Sequence, residues 1–253
     1  MSTSAKTVGA APAGASDRQS AAKAVQQMFS EIAPRYDLLN HVLSCNVDRL
    51  WWRRTARVFH HTLAKPASRV LDLCCGTCDM TLALHRQGNP RRSLPILGVD
   101  FAHPMLQRGL RKTEGAPIRL LEADALQLPI SSGSLDLVVS AFGIRNLADY
   151  DAGLVEIFRV LAPGGEIGIL DFSEPKGLLG QAYRVYFKHV LPKIGSVISG
   201  VRGPYAYLPA SVARFPEPPE MLERMQRAGF KQVSWTPYTF GVAGLFRGTK
   251  SIT

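Results

Sequence analysis

The stretch from Arg69 to Met80, RVLDLCCGTCDM, constrains this chain more than any other. Val70, Leu71 and Leu73 make a short apolar run, and Val70 is β-branched, which predicts a buried strand. The run stops at the small residues Cys74, Cys75, Gly76, Thr77 and Cys78, and helix-forming apolar residues resume from Met80 to Leu84. Strand, small-residue turn and helix form the opening unit of a nucleotide-binding α/β fold. Small side chains matter in such a turn because a ligand must approach the backbone closely, and a branched Cβ would block it. The helix that follows offers unpaired N–H groups and a partial positive charge.

The turn departs from the dinucleotide fingerprint, which needs three glycines, whereas this one has only Gly76. Asp72 falls at the end of the strand, where it can pair with a cationic amine. S-adenosylmethionine (SAM) carries an α-ammonium and a carboxylate, whereas a dinucleotide carries a pyrophosphate. The acidic strand end and the sparse glycines therefore favour SAM. The plainer alternative is a buried strand and tight turn that bind nothing. Cys75 and Cys78 are spaced as CxxC, but no second cysteine pair or spaced histidine cluster completes a zinc or redox site. No metal is expected.

The rest of the chain repeats the first unit. Residues 94–100 (LPILGVD) predict a second strand ending in Asp100, an acid placed to accept from both ribose hydroxyls, with Phe101 next to it to stack on adenine. Residues 104–112 predict a helix, 118–122 a third strand, and Asp124 follows in a turn where it can receive the adenine exocyclic amine. Residues 134–140 (SLDLVVS) predict a fourth strand leading into AFGIRNLAD, and 149–161 a helix. Pro163, Gly164 and Gly165 predict a turn before a fifth strand over 166–171. Alternating strands and helices predict a parallel sheet with right-handed crossovers, in which ligands bind at the carboxyl ends of the strands. Asp72, Asp100, Asp124 and the 140–146 loop all fall at such ends.

Around this unit lie two accessory parts. Residues 21–32 have helical spacing of Ala24, Val25, Met28, Phe29 and Ile32, and a basic helix is expected through Trp51 and Trp52 to Phe59. Together, 21–65 predict a helical cap, with Tyr36, His41, Trp51 and Trp52 as an aromatic and polar cover. Residues 178–210 predict an insertion, of which 181–198 is apolar with interspersed Arg and Lys, suited either to packing on the core or to touching a lipid-like substrate. A last helix is expected over 216–229, then an antiparallel hairpin from 231–238 and 241–247.

At 253 residues the chain has room for one large α/β domain, here 21–253, and its apolar fraction of 46% is ordinary. Residues 1–20 are rich in Ala, Ser and Gly without a secretory apolar core, and read as a disordered tail. Arg is nearly absent there, which weakens a mitochondrial presequence reading. No apolar run approaches the roughly 20 residues that span a bilayer. Four cysteines, three of them crowded at Cys74, Cys75 and Cys78, predict free thiols in a reducing cytoplasm rather than a disulfide framework. The formal charge of +10 is spread along the chain, which favours a generally basic surface over nucleic-acid binding.

The stretches YDLLNHVLS, VDRLWWR, VLDLCCGT, FGIRN, LAPGGE, LDFSEP and YLPASVARFP resemble the family of C-methyltransferases of menaquinone and ubiquinone biosynthesis. The resemblance runs from about Val25 to Lys250. It implies a SAM-dependent methyltransferase (Rossmann-like) fold of the α/β class, mainly parallel with a C-terminal antiparallel hairpin. It implies SAM contacts at Thr77, Asp100, Asp124 and Ala125. It also marks two departures: Cys78 stands where the common pattern has glycine, and Ala141 where some members carry serine. The implied reaction is methylation of a ring carbon of a demethylmenaquinol, the last step of menaquinone biosynthesis. The alternative is a ubiquinone precursor, 2-polyprenyl-6-methoxy-1,4-benzoquinol. Arg145 is the expected stabiliser of the substrate phenolate, unless it is spent on a salt bridge with Asp149, and a water or His41 would take the proton. The expected partners are the polyprenylated quinol and the inner face of a membrane; a homo-oligomer is compatible, and nucleic acid is not expected. A nucleotide-binding oxidoreductase and a non-catalytic SAM-fold protein are the competing readings, disfavoured by the missing pyrophosphate glycines and by the filled acid positions.

Overall fold

A computed structural model describes residues 9, 10, 12, 14–35, 46–175 and 203–252. Seven strands form one sheet: β1 (Val70–Leu73), β2 (Ile96–Asp100), β3 (Ile118–Glu122), β4 (Leu135–Ala141), β5 (Leu161–Phe172), β6 (Lys231–Tyr238) and β7 (Ala243–Thr249), in the order β3-β2-β1-β4-β5-β7-β6. The first five are parallel, and β7 runs antiparallel to both β5 and β6. The helices are α1 (Arg18–Ile32), α2 (Val47–Val58), α3 (Asp79–Gln87), α4 (His103–Lys112), α5 (Tyr150–Val160), α6 (Gly203–Arg214) and α7 (Pro218–Arg227).

Burial on both faces explains why the central strands read as continuous apolar runs. Side chains alternate across β1 and β4. Leu71, Leu73 and Val138 join Ile157, Val160, Met221 and Met225 in one core layer. Val70, Leu137 and Val139 join Ala56, Phe59, Leu63 and Leu84 in the other. The strand order reverses between β1 and β4, and this switch point opens the ligand crevice at their carboxyl ends.

Two elements differ from the sequence reading. The Pro163–Gly165 turn lies inside β5 as a bulge: the register jumps from Leu161 opposite Leu135 to Glu166 opposite Leu137. Gly164 takes φ 77°, and the bulge is held by bonds of 2.9 Å from Gly164 N–H to Lys250 O and from Lys250 N–H to Gly165 O. The first helix begins at Arg18, not residue 21, because Asp17 caps it by accepting from Ser20 N–H at 2.8 Å while Ser20 returns a bond to the Asp17 backbone. Ala10 N–H also donates to Leu147 O at 2.7 Å, so part of the expected tail is tied to the domain. The apolar and basic stretch 181–198, together with Tyr36 and His41, lies outside the described residues, and the end of the expected insertion is the start of α6.

Candidate active site

The turn after β1 makes the floor of the crevice. Cys74, Gly76 and Cys78 all adopt left-handed backbone, with φ 57°, 53° and 73°. At the two cysteines this costs about 1–2 kcal/mol each, strain that tends to persist where function requires a particular loop. Phe142, at the end of β4, is also left-handed with φ 59°. Between these two loops the backbones nearly touch: a Cβ placed on Gly143 would lie 2.4 Å from Cys74 Cβ. Gly143 is therefore fixed by close approach.

Two adjoining clefts flank this contact. Asp72, Gly76, Thr77, Asp79 and Ala141 line the smaller one. Asp72 is fully buried; Thr81 Oγ1 donates to its Oδ2, while its Oδ1 has no partner. Burial pushes the Asp72 carboxyl up to about 7, with the Thr81 hydrogen bond opposing the shift. Lys112 reaches the start of α3, pairing with Asp79 at 2.7 Å and lying 3.4 Å from Thr77 Oγ1. An unsatisfied carboxylate oxygen on one side and a helix N-terminus with an ammonium on the other fit the α-ammonium and carboxylate of SAM.

The larger cleft is lined by Asp100, Phe101, Asp124, Ala125, Ala141 and Phe142, with Ala22 and Phe29 from α1. Asp100 is held by its own chain, Oδ2 accepting from Gly76 N–H at 2.8 Å and Oδ1 from Ala102 N–H at 2.9 Å. Each oxygen keeps a lone pair for a ribose hydroxyl. Burial raises its pKa, and the backbone donors oppose this. Asp124 caps its own turn by accepting from Leu126 N–H at 2.9 Å. The expected cofactor positions Asp72, Gly76, Thr77, Asp100, Asp124, Ala125 and Ala141 are thus brought together around two adjoining clefts that share Gly76 and Ala141.

Arg145 does not pair with Asp149. Its Nη1 lies 3.0 Å from Asp171 Oδ1 at the end of β5, and it also donates to Phe142 O. Asp149 instead caps α5 through Ala152 N–H at 3.0 Å and pairs with Arg18 at 2.6 Å. The reason is local geometry. Residues 144–146 form a single 3-10 turn and Leu147 is extended, so Asp149 is not one helical turn beyond Arg145. Burial raises the Asp171 pKa, and the guanidinium opposes the rise. Arg145 Nε, Asn146 Oδ1 and Tyr207 Oη are buried without partners. Tyr207 is on α6, which packs against the 144–146 turn. Burial pushes its hydroxyl up to about 12. Beside this group stands an aromatic wall. Trp51 and Phe142 rings are 5.9 Å apart, Phe142 and Phe172 4.6 Å, and the Arg145 guanidinium lies 5.3 Å from the Phe172 ring.

The sequence pattern of the ubiE/COQ5 methyltransferase family matches residues 16–250. The chain belongs to this family. It is 46% identical over 237 residues to a demethylmenaquinone methyltransferase of Deinococcus radiodurans, covering 92% of this chain and 95% of that one. It is 48% identical over 226 residues to a demethylmenaquinone methyltransferase of Thermus thermophilus, covering 88% and 100%. Among solved structures, a SAM-dependent methyltransferase of Thermotoga maritima shares the fold, with TM-score 0.63 at 18% identity, over 89% of this chain and 99% of that one. The protein is a SAM-dependent methyltransferase with SAM as its cofactor, and the expected fold class holds.

Asp171, Asn146, Tyr207 and Phe172 surround Arg145, and sequence reasoning singled out none of them. Asp171 carried a usable signal, since it is a further acid at the carboxyl end of a strand. Tyr207 carried none, because only the packing of α6 on the 144–146 turn brings its hydroxyl near Arg145 and Asp171.

Proposed function

We propose that the protein methylates a ring carbon of a demethylmenaquinol, giving a menaquinol in the last step of menaquinone biosynthesis. The observation that carries this reading is the trio of unpartnered polar atoms, Arg145 Nε, Asn146 Oδ1 and Tyr207 Oη, grouped behind the Trp51–Phe142–Phe172 wall, with Asn146 lining the larger cleft. A flat ring bearing hydroxyls would stack on the wall and satisfy those atoms. Relatives named for demethylmenaquinone methylation support the same substrate.

Bound SAM supplies an electrophilic methyl group, so the protein's remaining work is to make the ring carbon nucleophilic and align it. Loss of a hydroquinone proton pushes charge onto the ring, and phenol protons ordinarily have a pKa near about 10. Arg145, buried and oriented by Asp171, stabilises the phenolate oxygen. Tyr207, whose own proton is held tightly, donates a hydrogen bond rather than acting as base. Arg is too basic to take the proton, which passes to water or to His41.

A ubiquinone-precursor substrate stays as the second reading, because a Geobacter sulfurreducens relative at 41% identity is named for both quinone pathways. The test is incubation of purified protein and SAM with each quinol, read by product mass. Methylation of demethylmenaquinol alone is expected; methylation of the benzoquinol alone would overturn the first reading. Tyr207→Phe should lower kcat about tenfold or more with the melting temperature unchanged, and an unchanged kcat would remove Tyr207 from the site.

A further inference from the structure

The exposed face of α2 and the tip of the β6–β7 hairpin carry groups that the methyl-transfer site does not use. Phe240 is 83% exposed, at a tip where Thr239, Phe240 and Gly241 all take positive φ (44°, 57° and 88°). A non-glycine pair in that conformation, presenting a bare phenyl ring to water, is doubly unfavourable for a free surface. On α2, Leu50, Arg54, Arg57 and Val58 share one stripe by helical spacing, and all are exposed, Leu50 by 51% and Val58 by 39%. Arg49 and Arg53 are exposed beside that stripe, and Asp48, the only acid of the helix, is buried. The two elements are joined. Trp51 Nε1 donates to Thr239 Oγ1 at 2.8 Å, and the Arg54 guanidinium lies 4.1 Å from the Tyr238 ring centroid. Among the described residues, Glu174 is an exposed acid beside Pro175, which lies near Gly241, and the four exposed arginines of α2 outnumber it.

We infer that Phe240, Leu50 and Val58, ringed by Arg49, Arg53, Arg54 and Arg57, form a docking face for an anionic lipid bilayer. An apolar tip among arginines suits the headgroup boundary, where the ring enters the acyl region and the guanidinium groups meet lipid phosphates. Position supports the same occupant. Trp51 binds the hairpin tip with its indole N–H and also packs on Phe142 and Phe172, so the docking face adjoins the aromatic wall of the substrate site. A polyprenyl chain leaving that wall beside Trp51 would remain in the bilayer while the ring is methylated. This last step rests on the quinol reading above; the docking face itself does not.

Co-sedimentation of the full chain with phosphatidylcholine vesicles, with and without phosphatidylglycerol, tests the inference. Wild-type protein should bind the anionic vesicles, more weakly as salt rises. Phe240→Ser should weaken binding roughly tenfold, and Arg53→Gln with Arg57→Gln by about fivefold per charge, with melting temperatures unchanged. Both variants should methylate a water-soluble demethylmenaquinol bearing a short prenyl tail as wild type does, but a long-tailed one in vesicles more slowly. Equal binding to neutral and anionic vesicles, or binding indifferent to these variants, overturns the inference. So does a Phe240-dependent dimer in solution, which would assign the face to a second copy, and so does loss of short-tail activity in Phe240→Ser. Failure of wild type on both quinols would sink the substrate reading alone, since sedimentation judges the docking face independently.

Discussion

Asp72 was readable from its place at a strand end, but its state was not. A carboxyl held up to about 7 by burial keeps a proton that the unfolded chain has lost. The sign follows: between the ordinary value and about 7, the ligand-free protein loses stability as pH rises, because the folded state binds more protons. SAM binding has the opposite sign, because the ammonium needs the ionised carboxylate. The dissociation constant should be roughly tenfold larger at about pH 6 than at its plateau above about pH 8, and Asp72→Asn should remove that dependence; calorimetry across the range checks both. Arg145 shows the limit of local reading. Its partner Asp171 lies 26 residues away, across two strand ends, and no spacing rule reaches that far. Because Asp171 is buried, Arg145→Ala should cost about 3–5 kcal/mol of stability as well as rate, since it strands a carboxylate. Denaturant unfolding of Arg145→Ala beside Arg145→Ala/Asp171→Ala should show the double variant recovering much of the loss; equal destabilisation of the two would refute the pairing.

Helices and strands followed their periodicity closely, and the misses have local causes. The Pro163–Gly165 segment carries turn chemistry, yet a bulge inside a long strand uses the same residues. The start of α1 moved because the Asp17–Ser20 capping box outweighs a run of residues without apolar spacing. The join between the β1 turn and α4 yields a sharper test. A Cβ on Gly109 would lie 2.6 Å from Cys78 Sγ and 3.1 Å from Leu120 Cδ1. Gly109→Ala should therefore destabilise by about 1–3 kcal/mol through overpacking. Cys78→Gly relieves its left-handed strain but empties a buried site, two effects that offset to within about 1 kcal/mol. Combining the two substitutions should recover most of the Gly109→Ala loss, measured as a thermal-unfolding cycle. Strict additivity would show that the two elements do not press on each other there.

At the scale of the whole molecule, the parallel sheet followed from alternation and handedness, and the place of the crevice from the acids at the strand ends, whereas the strand order and its switch point between β1 and β4 come from the structure. The amino-terminal helix, part of the expected 21–65 cap, lies along the crevice. Ala22 and Phe29 line it, Gln26 Nε2 donates to Phe101 O at 2.6 Å, and Arg18 pairs with Asp149. Arg18 is half exposed, so its pair is worth about 0–1 kcal/mol. Arg18→Gln should quicken amide exchange in residues 18–32 with little change in melting temperature, whereas Asp149→Ala should also lower the melting temperature by removing the α5 cap, worth about 1 kcal/mol. Equal exchange in wild type and Arg18→Gln would mean the pair does not hold the helix. Since the same helix lines the crevice and follows the amino-terminal segment tied through Ala10 to Leu147, ligand residence and protease resistance become two readings of one equilibrium. A small molecule that lingers in the crevice shields the amino terminus from cleavage, and a cut there hastens the molecule's escape.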